Sequence, residues 1–179
     1  MSTQDYDAVN SIRFHGRPLR LRELRAADRP RIETLLTQVA PADLQLRFFG
    51  AFCRIPPGLL DQLLRIDPRD RLTVAAVLES AGGHDAEILG VARAHRMGEH
   101  AAEAALLVRS DLKGQGLGTL LLGRLTGRCR EWGVSRMIVE VMRRNSRMLR
   151  LAEKYGFRCE AVQDDTCHLV LDLRAQPVR

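Results

Sequence analysis

Lysine is nearly missing from this chain: 28 residues are Lys or Arg, and only Lys113 and Lys154 among them are lysines. Aromatic residues are scarce too, at 4%. With no zinc-finger spacing and no aromatic RNA-binding signature, nothing gives the basic surface a sequence readout, so nucleic acid is not an expected partner. No apolar run approaches the ~20 residues of a membrane span. The first ten residues, MSTQDYDAVN, lack the hydrophobic core of a signal peptide. The four cysteines, Cys53, Cys129, Cys159 and Cys167, form no C-x-x-C pair, and Cys167 and His168 are adjacent rather than spaced as zinc ligands. The expectation is a cytoplasmic protein with reduced thiols, no membrane partner and no metal.

What is present is a chain of 179 residues with ordinary apolar content and no long like-charge block, enough for one well-buried core. Residues 1–10 read as a polar leader and 11–179 as a single domain. The net charge of +6 attracts anions generally. A solvated, arginine-rich surface accounts for much of it, and a phosphate-bearing small ligand fits the rest.

The hydrophobic pattern lays out an α/β order. SIRFHGRPLRLREL alternates apolar and polar residues as one strand, and Ile32, Leu35, Leu36 and Val39 follow at helical spacing. PADLQLRFFG reads as a short helix ending at Gly50, and PGLLDQLLRIDP as another stopped by Pro68. RLTVAAVLES, AEILGVARAH and AAEAALLVRS read as a three-strand meander. Then come a glycine loop, a helix through Leu121, Leu125, Cys129 and Trp132 ending at Gly133, the strand RMIVEV, a helix through Met148, Leu151, Ala152 and Tyr155 ending at Gly156, and the strand pair RCEAVQ and CHLVLDL.

The loop VRSDLKGQGLG carries the chemistry. A Walker loop is excluded because no Lys-Ser/Thr pair follows Gly118. A dinucleotide fingerprint fits poorly, since Gly114, Gly116 and Gly118 give G-x-G-x-G with Leu121 in place of the third glycine, although Glu140 can be cast as its ribose acid. A strand running through glycines into a helix points free N–H groups and a positive dipole end at one spot. That spot suits a pyrophosphate; a tight turn with no ligand is the alternative.

These residues resemble the acyl-CoA-binding motif of the GNAT N-acetyltransferases, V-x-P-x-x-[QR]-x-x-G-x-[GA], with Val108, Gly116 and Gly118 matching, Ser110 at the proline and Lys113 at the Gln/Arg position. Together with LQLRFFG, RIDPRDRLTVAAV and RNSRMLRLAEKYGF, the loop is similar to the acetyltransferase domain of bacterial Pat-type protein lysine acetyltransferases. The resemblance spans about Leu19 to Leu173 and implies a GNAT fold, with a mixed, mostly antiparallel sheet flanked by helices. It implies acetyl-CoA as cosubstrate and a protein lysine, for example on an AMP-forming acyl-CoA synthetase, as acceptor. A small amine is the alternative acceptor, and a non-catalytic acyl-CoA sensor the alternative function.

Residue by residue, the resemblance makes Glu103 the general base, partly buried so as to raise its pKa; a solvent-facing strand residue is the alternative. Backbone groups of Leu106, Leu107 and Val108 would pair with the pantetheine arm, one N–H serving the thioester oxygen. N–H groups of Lys113, Gly114, Gln115, Gly116, Leu117, Gly118 and Thr119 would hold the pyrophosphate, with Lys113 and Arg109 adding charge or, alternatively, simply solvated. Asn145 either bonds the pantetheine or caps a helix. Ala152 stands where many relatives place the tyrosine that protonates the thiolate, and Tyr155 reads as core. Arg47 reads as a structural salt bridge, with positioning of an acidic substrate loop as the alternative. His84 and His100 are expected near the substrate edge, and His168 as structural.

Overall fold

The computed structural model describes residues 12–49, 58–65, 67 and 69–174. The polar leader, Gly50, Cys53 and Pro68 lie outside them. Eight strands form one sheet: β1 (Ile12–Phe14), β2 (Arg17–Arg22), β3 (Arg71–Glu79), β4 (Asp85–Met97), β5 (Ala101–Val108), β6 (Arg136–Met142), β7 (Arg158–Gln163) and β8 (Thr166–Asp172). Their spatial order is β1-β2-β3-β4-β5-β6-β8-β7, antiparallel throughout except for the β5/β6 pair. The helices are α1 (Arg29–Thr37), α2 (Pro41–Phe48), α3 (Leu59–Leu64), α4 (Leu117–Glu131) and α5 (Ser146–Lys154).

The first expected strand is in fact the β1/β2 hairpin. His15 and Gly16 both have positive φ, 49° and 77°, the signature of a two-residue turn whose twist matches its strands. Alternation continues on either side of such a turn, so periodicity alone did not reveal it. α2 stops at Phe48, and Phe49 takes the left-handed conformation at φ 52°.

Two apolar layers sandwich the sheet. α4 and α5 cover one face, where Leu117, Leu121, Leu122, Leu125 and Cys129 meet Leu72, Val74, Ala94, Ala104 and Met137. α1, α2 and α3 cover the other, where Ile32, Leu35, Leu44 and Leu63 meet Ala75, Val77, Val91 and Leu107. Strand side chains alternate between the layers with period two. Register shifts interrupt this: Ala76 pairs with Gly90 while Val77 pairs with Ile88, leaving Leu89 as an extra residue on β4, and further shifts fall between Leu78 and Glu79 and between Cys159 and Ala161.

Helix ends are fixed by local chemistry. α1 and α2 each carry a proline in the first turn, where its missing N–H costs nothing. At the end of α4, Gly133 turns left-handed at φ 79°, Arg96 stacks on Trp132 at 4.1 Å, and its guanidinium donates to the Trp132 carbonyl at 2.8 Å. A buried charge pair anchors β2 to the start of α1: Arg22 donates to both oxygens of Asp28 at 2.7 Å, and each side chain is 1% exposed. Arg22 also reaches Asp85 at 2.6 Å.

Candidate active site

The parallel β5/β6 ladder is short, joining only Ala101, Ala102 and Glu103 to Arg136, Met137 and Ile138. Beyond Glu103 the two strands part, so the β6-facing backbone groups of Ala104 to Val108 have no strand partner. A cavity of about 450 Å³ occupies the gap. Its walls are Glu103 to Val108 of β5, Val139 and Glu140 of β6, the glycine loop, the end of α2 and the first turns of α5.

The glycine loop closes one end. Gly114 and Gly116 hold φ of 81° and 91°, and a Cβ at either would meet nothing within 4 Å. Backbone shape, not space, therefore requires glycine there. Gly118 differs: a Cβ would lie 3.2 Å from Leu151 Cδ2, so its role is the close approach of α4 to α5. Gly116 is the N-cap of α4, which leaves the first N–H groups of that helix without intrahelical acceptors.

Of the expected ligand residues, Leu106, Leu107, Val108, Lys113, Gly114, Gly116, Gly118, Thr119 and Asn145 all line the cavity, as does Glu103. Gln115 and Leu117 do not. The Gln115 side chain bonds His15 and the Asp111 carbonyl, and Leu117 is 1% exposed in the core, so only their backbone is available to a ligand. Asn145 accepts from Met148 N at 3.2 Å and thus caps α5 while facing the cavity.

Three expectations are corrected by geometry. Glu103 is exposed, not partly buried, because it stands where β5 and β6 begin to part. Lys113 is ion-paired with Asp43 of α2, which also accepts from Ser110. Burial pushes the Asp43 carboxyl up, but the Lys113 and Ser110 hydrogen bonds and the nearby charges of Lys113 and Arg147 outweigh this and hold it below the usual carboxylate range. Arg109 is committed to Asp111 at 2.7 Å and Glu87 at 2.9 Å.

The sequence reading missed Arg147 and Arg150, exposed residues of α5 that both line the cavity. Their i, i+3 spacing directly after the Asn145 cap was the available signal. Glu140, considered in the sequence only as a ribose acid of a dinucleotide fold, faces the cavity and lies 3.3 Å from His168 Nδ1. Tyr155 is structural as expected, donating to the Thr119 carbonyl at 2.6 Å. Ala152 is fully buried. His84 and His100 are absent from the cavity walls.

The acetyltransferase (GNAT) family model matches residues 42–157. The chain belongs to the GNAT acetyltransferase family. It is 29% identical over 156 residues to acetyltransferase PA5475 of Pseudomonas aeruginosa, an alignment covering 87% of this chain and 83% of that protein. The GNAT domain of S. lividans PAT superposes with a TM-score of 0.82 at 25% identity, covering 96% of this chain and 99% of that domain. YncA of Salmonella typhimurium, a putative acetyltransferase solved with acetyl-CoA, shares the fold with a TM-score of 0.67 at 19% identity, over 87% of this chain and 94% of that one. The GNAT assignment gives the parted strands their chemical meaning: this is the α/β fold of an enzyme that transfers acetyl groups to amines. Among the described residues no helix is long and apolar enough to cross a membrane, and no group of side chains forms a metal site.

Proposed function

We propose that this GNAT enzyme moves an acetyl group from acetyl-CoA to a protein lysine, with Glu103 as general base. The observation that carries the proposal is the position of Glu103: exposed, at the branch point of β5 and β6, at the mouth of a cleft whose far end is the glycine loop. The unpaired backbone of Leu106 to Val108 suits a pantetheine arm added as a strand. The N–H groups from Lys113 to Thr119 suit a pyrophosphate. Arg147 and Arg150 supply the charge that Lys113, held by Asp43, and Arg109, held by Asp111 and Glu87, do not.

The thioester supplies an activated acetyl carbonyl; the chain supplies geometry and a proton acceptor. A lysine of pKa ~10.4 is neutral about once in a thousand molecules near pH 7, so Glu103 takes the ammonium proton directly or through water. A backbone N–H of the Leu106–Val108 stretch donates to the carbonyl oxygen as negative charge develops there. The acetyl C–N bond forms, the C–S bond breaks, and the sulfur leaves with a proton from solvent, since Ala152 has none to give and the Tyr155 hydroxyl is held by Thr119.

A protein lysine is favoured over a polyamine because Arg47 lines the acceptor end beside Glu103, with Arg71 and Arg93 on the same sheet face, a poor surface for a polycation. The test is the intact mass of a purified AMP-forming acyl-CoA synthetase incubated with acetyl-CoA and this enzyme. An acetyl increment that disappears with Glu103→Gln is the expected result. No increment, with acetyl-CoA binding intact, would move the acceptor to a small amine.

A further inference from the structure

Three guanidinium groups stand near the acceptor end with no ion-paired acid among the described residues. Across the sheet, Arg71 of β3 pairs with His95 of β4, which pairs with Glu103 of β5; in the next row on the same face, Thr73 pairs with Arg93, which pairs with Ala105. Arg71 and Arg93 therefore share a sheet face with Glu103, both on its β4 side, on the side that α2 covers further along. Arg47, in the last turn of α2, shares a cavity wall with Glu103. All three arginines are half-buried, and none forms an ion pair or a side-chain hydrogen bond among the described residues. The structural salt bridge expected for Arg47 is not formed among the described residues. Other half-buried arginines of the sheet do find acids, Arg20 at Glu79 and Arg109 at Glu87 and Asp111.

The arrangement is electrostatically costly. Burial pulls the Arg47 guanidinium down to about 10 against the attraction of Glu103. Burial, with repulsion from Arg71 and Arg47, pulls Arg93 down to about 10 as well. Three partly desolvated guanidinium groups held together beside the single carboxylate of Glu103 leave an excess of positive charge that suits an anion from outside. The phosphates of CoA do not fit that role, because the glycine loop begins beyond Val108, and the five residue steps from Glu103 to Val108 span about 17 Å.

We infer that the acceptor brings its own carboxylate: the target lysine lies in an acidic protein segment, with an Asp or Glu side chain seated on Arg47, Arg71 and Arg93 while the amine meets Glu103. This rests on the protein-lysine reading above. Strand spacing puts the Arg93 and Glu103 backbones about 8 Å apart, so the acid lies about two or three residues from the lysine in an extended segment. Arg47, Arg71 and Arg93 are then specificity residues and have no part in holding acetyl-CoA.

The experiment compares single-lysine peptides of equal length with Glu or Gln two and three residues to either side of the lysine, scored as kcat/KM from thiol release. The native enzyme should favour the Glu peptides by about tenfold or more, as a charge-assisted bond at a partly desolvated site implies. Added salt should shrink the preference. Arg93→Gln and, independently, Arg47→Gln on the helix should reduce it to under about threefold, with the calorimetric acetyl-CoA affinity unchanged within about twofold. Equal use of Glu and Gln peptides, or a preference surviving both substitutions, overturns the inference and leaves the protein-lysine reading standing. Refusal of every peptide while free small amines are acetylated overturns the protein-lysine reading and this inference together.

Discussion

Gly90 is the position where one methyl group tests how the sheet positions the cleft. A Cβ there would lie 2.9 Å from the Leu107 carbonyl oxygen, 3.0 Å from Leu121 Cδ1 and 3.2 Å from Val108 Cγ2. Ordinary contact begins at 3.4 Å, so the Leu107 carbonyl must retreat by about 3.4 − 2.9 = 0.5 Å. Backbone cannot swing aside as a side chain can, and β5 beyond Glu103 has no β6 neighbour to brace it. Overpacking of this kind costs about 1–3 kcal/mol, or roughly 2–12 °C in Tm for a domain of this size. If misplacement by ~1 Å costs ~100-fold in rate, half that displacement of the Leu106–Val108 stretch costs about tenfold. Differential scanning fluorimetry and steady-state kinetics on Gly90→Ala measure both. Gly127→Ala is the control: it lies inside α4 with nothing within 4 Å of its added Cβ, and should gain up to ~1 kcal/mol from helix propensity at unchanged rate. A Gly90→Ala enzyme with native Tm and kcat would refute the claim that β5 is held by this contact.

Other outcomes follow from the same structure. Gly123→Ala would place a Cβ 2.7 Å from the Tyr155 hydroxyl, which is bonded to Thr119 in the first turn of α4. It should weaken acetyl-CoA binding, and Tyr155→Phe in the same chain should restore part of it, as measured by calorimetry. Asp28→Asn leaves Arg22 with Asp85 as its remaining carboxylate partner and should cost about 1–3 kcal/mol, seen as a lower urea midpoint. Burial raises the Asp28 carboxyl, but hydrogen bonds from Arg22 and the Arg25 backbone, with the charges of Arg22 and Arg31, hold it below its ordinary 3.8. Its contribution is therefore full above pH 3.8 and lost as pH falls through the lower native value. Denaturation curves from pH 6 to pH 2, native against Asp28→Asn, should converge at the acid end.

Order and type of the elements were legible because their apolar periods are long and their stops are glycines: α4 ends before Gly133 and α5 before Gly156. The glycine loop was legible because its spacing is a backbone requirement at Gly114 and Gly116. The β1/β2 turn was not, since alternation through His15 and Gly16 is the same for one strand or two. Charge pairing was also hidden. Nothing along the chain says that Asp43 reaches Lys113, 70 residues away, or that Arg47, Arg71 and Arg93 converge with none of them ion-paired among the described residues. Exposure of Glu103 follows from where β5 leaves β6, a property of the sheet and not of AAEAALLV itself.

The central claim is that Glu103 serves proton removal from the acceptor and has no part in holding acetyl-CoA. Calorimetric acetyl-CoA affinity and the steady-state transfer rate, measured side by side for native enzyme and Glu103→Gln on the same acceptor, test it most directly. Affinity within about twofold and a rate lower by about 10²–10⁴-fold are the expected results. A native rate in Glu103→Gln, or a loss confined to acetyl-CoA affinity, would contradict it.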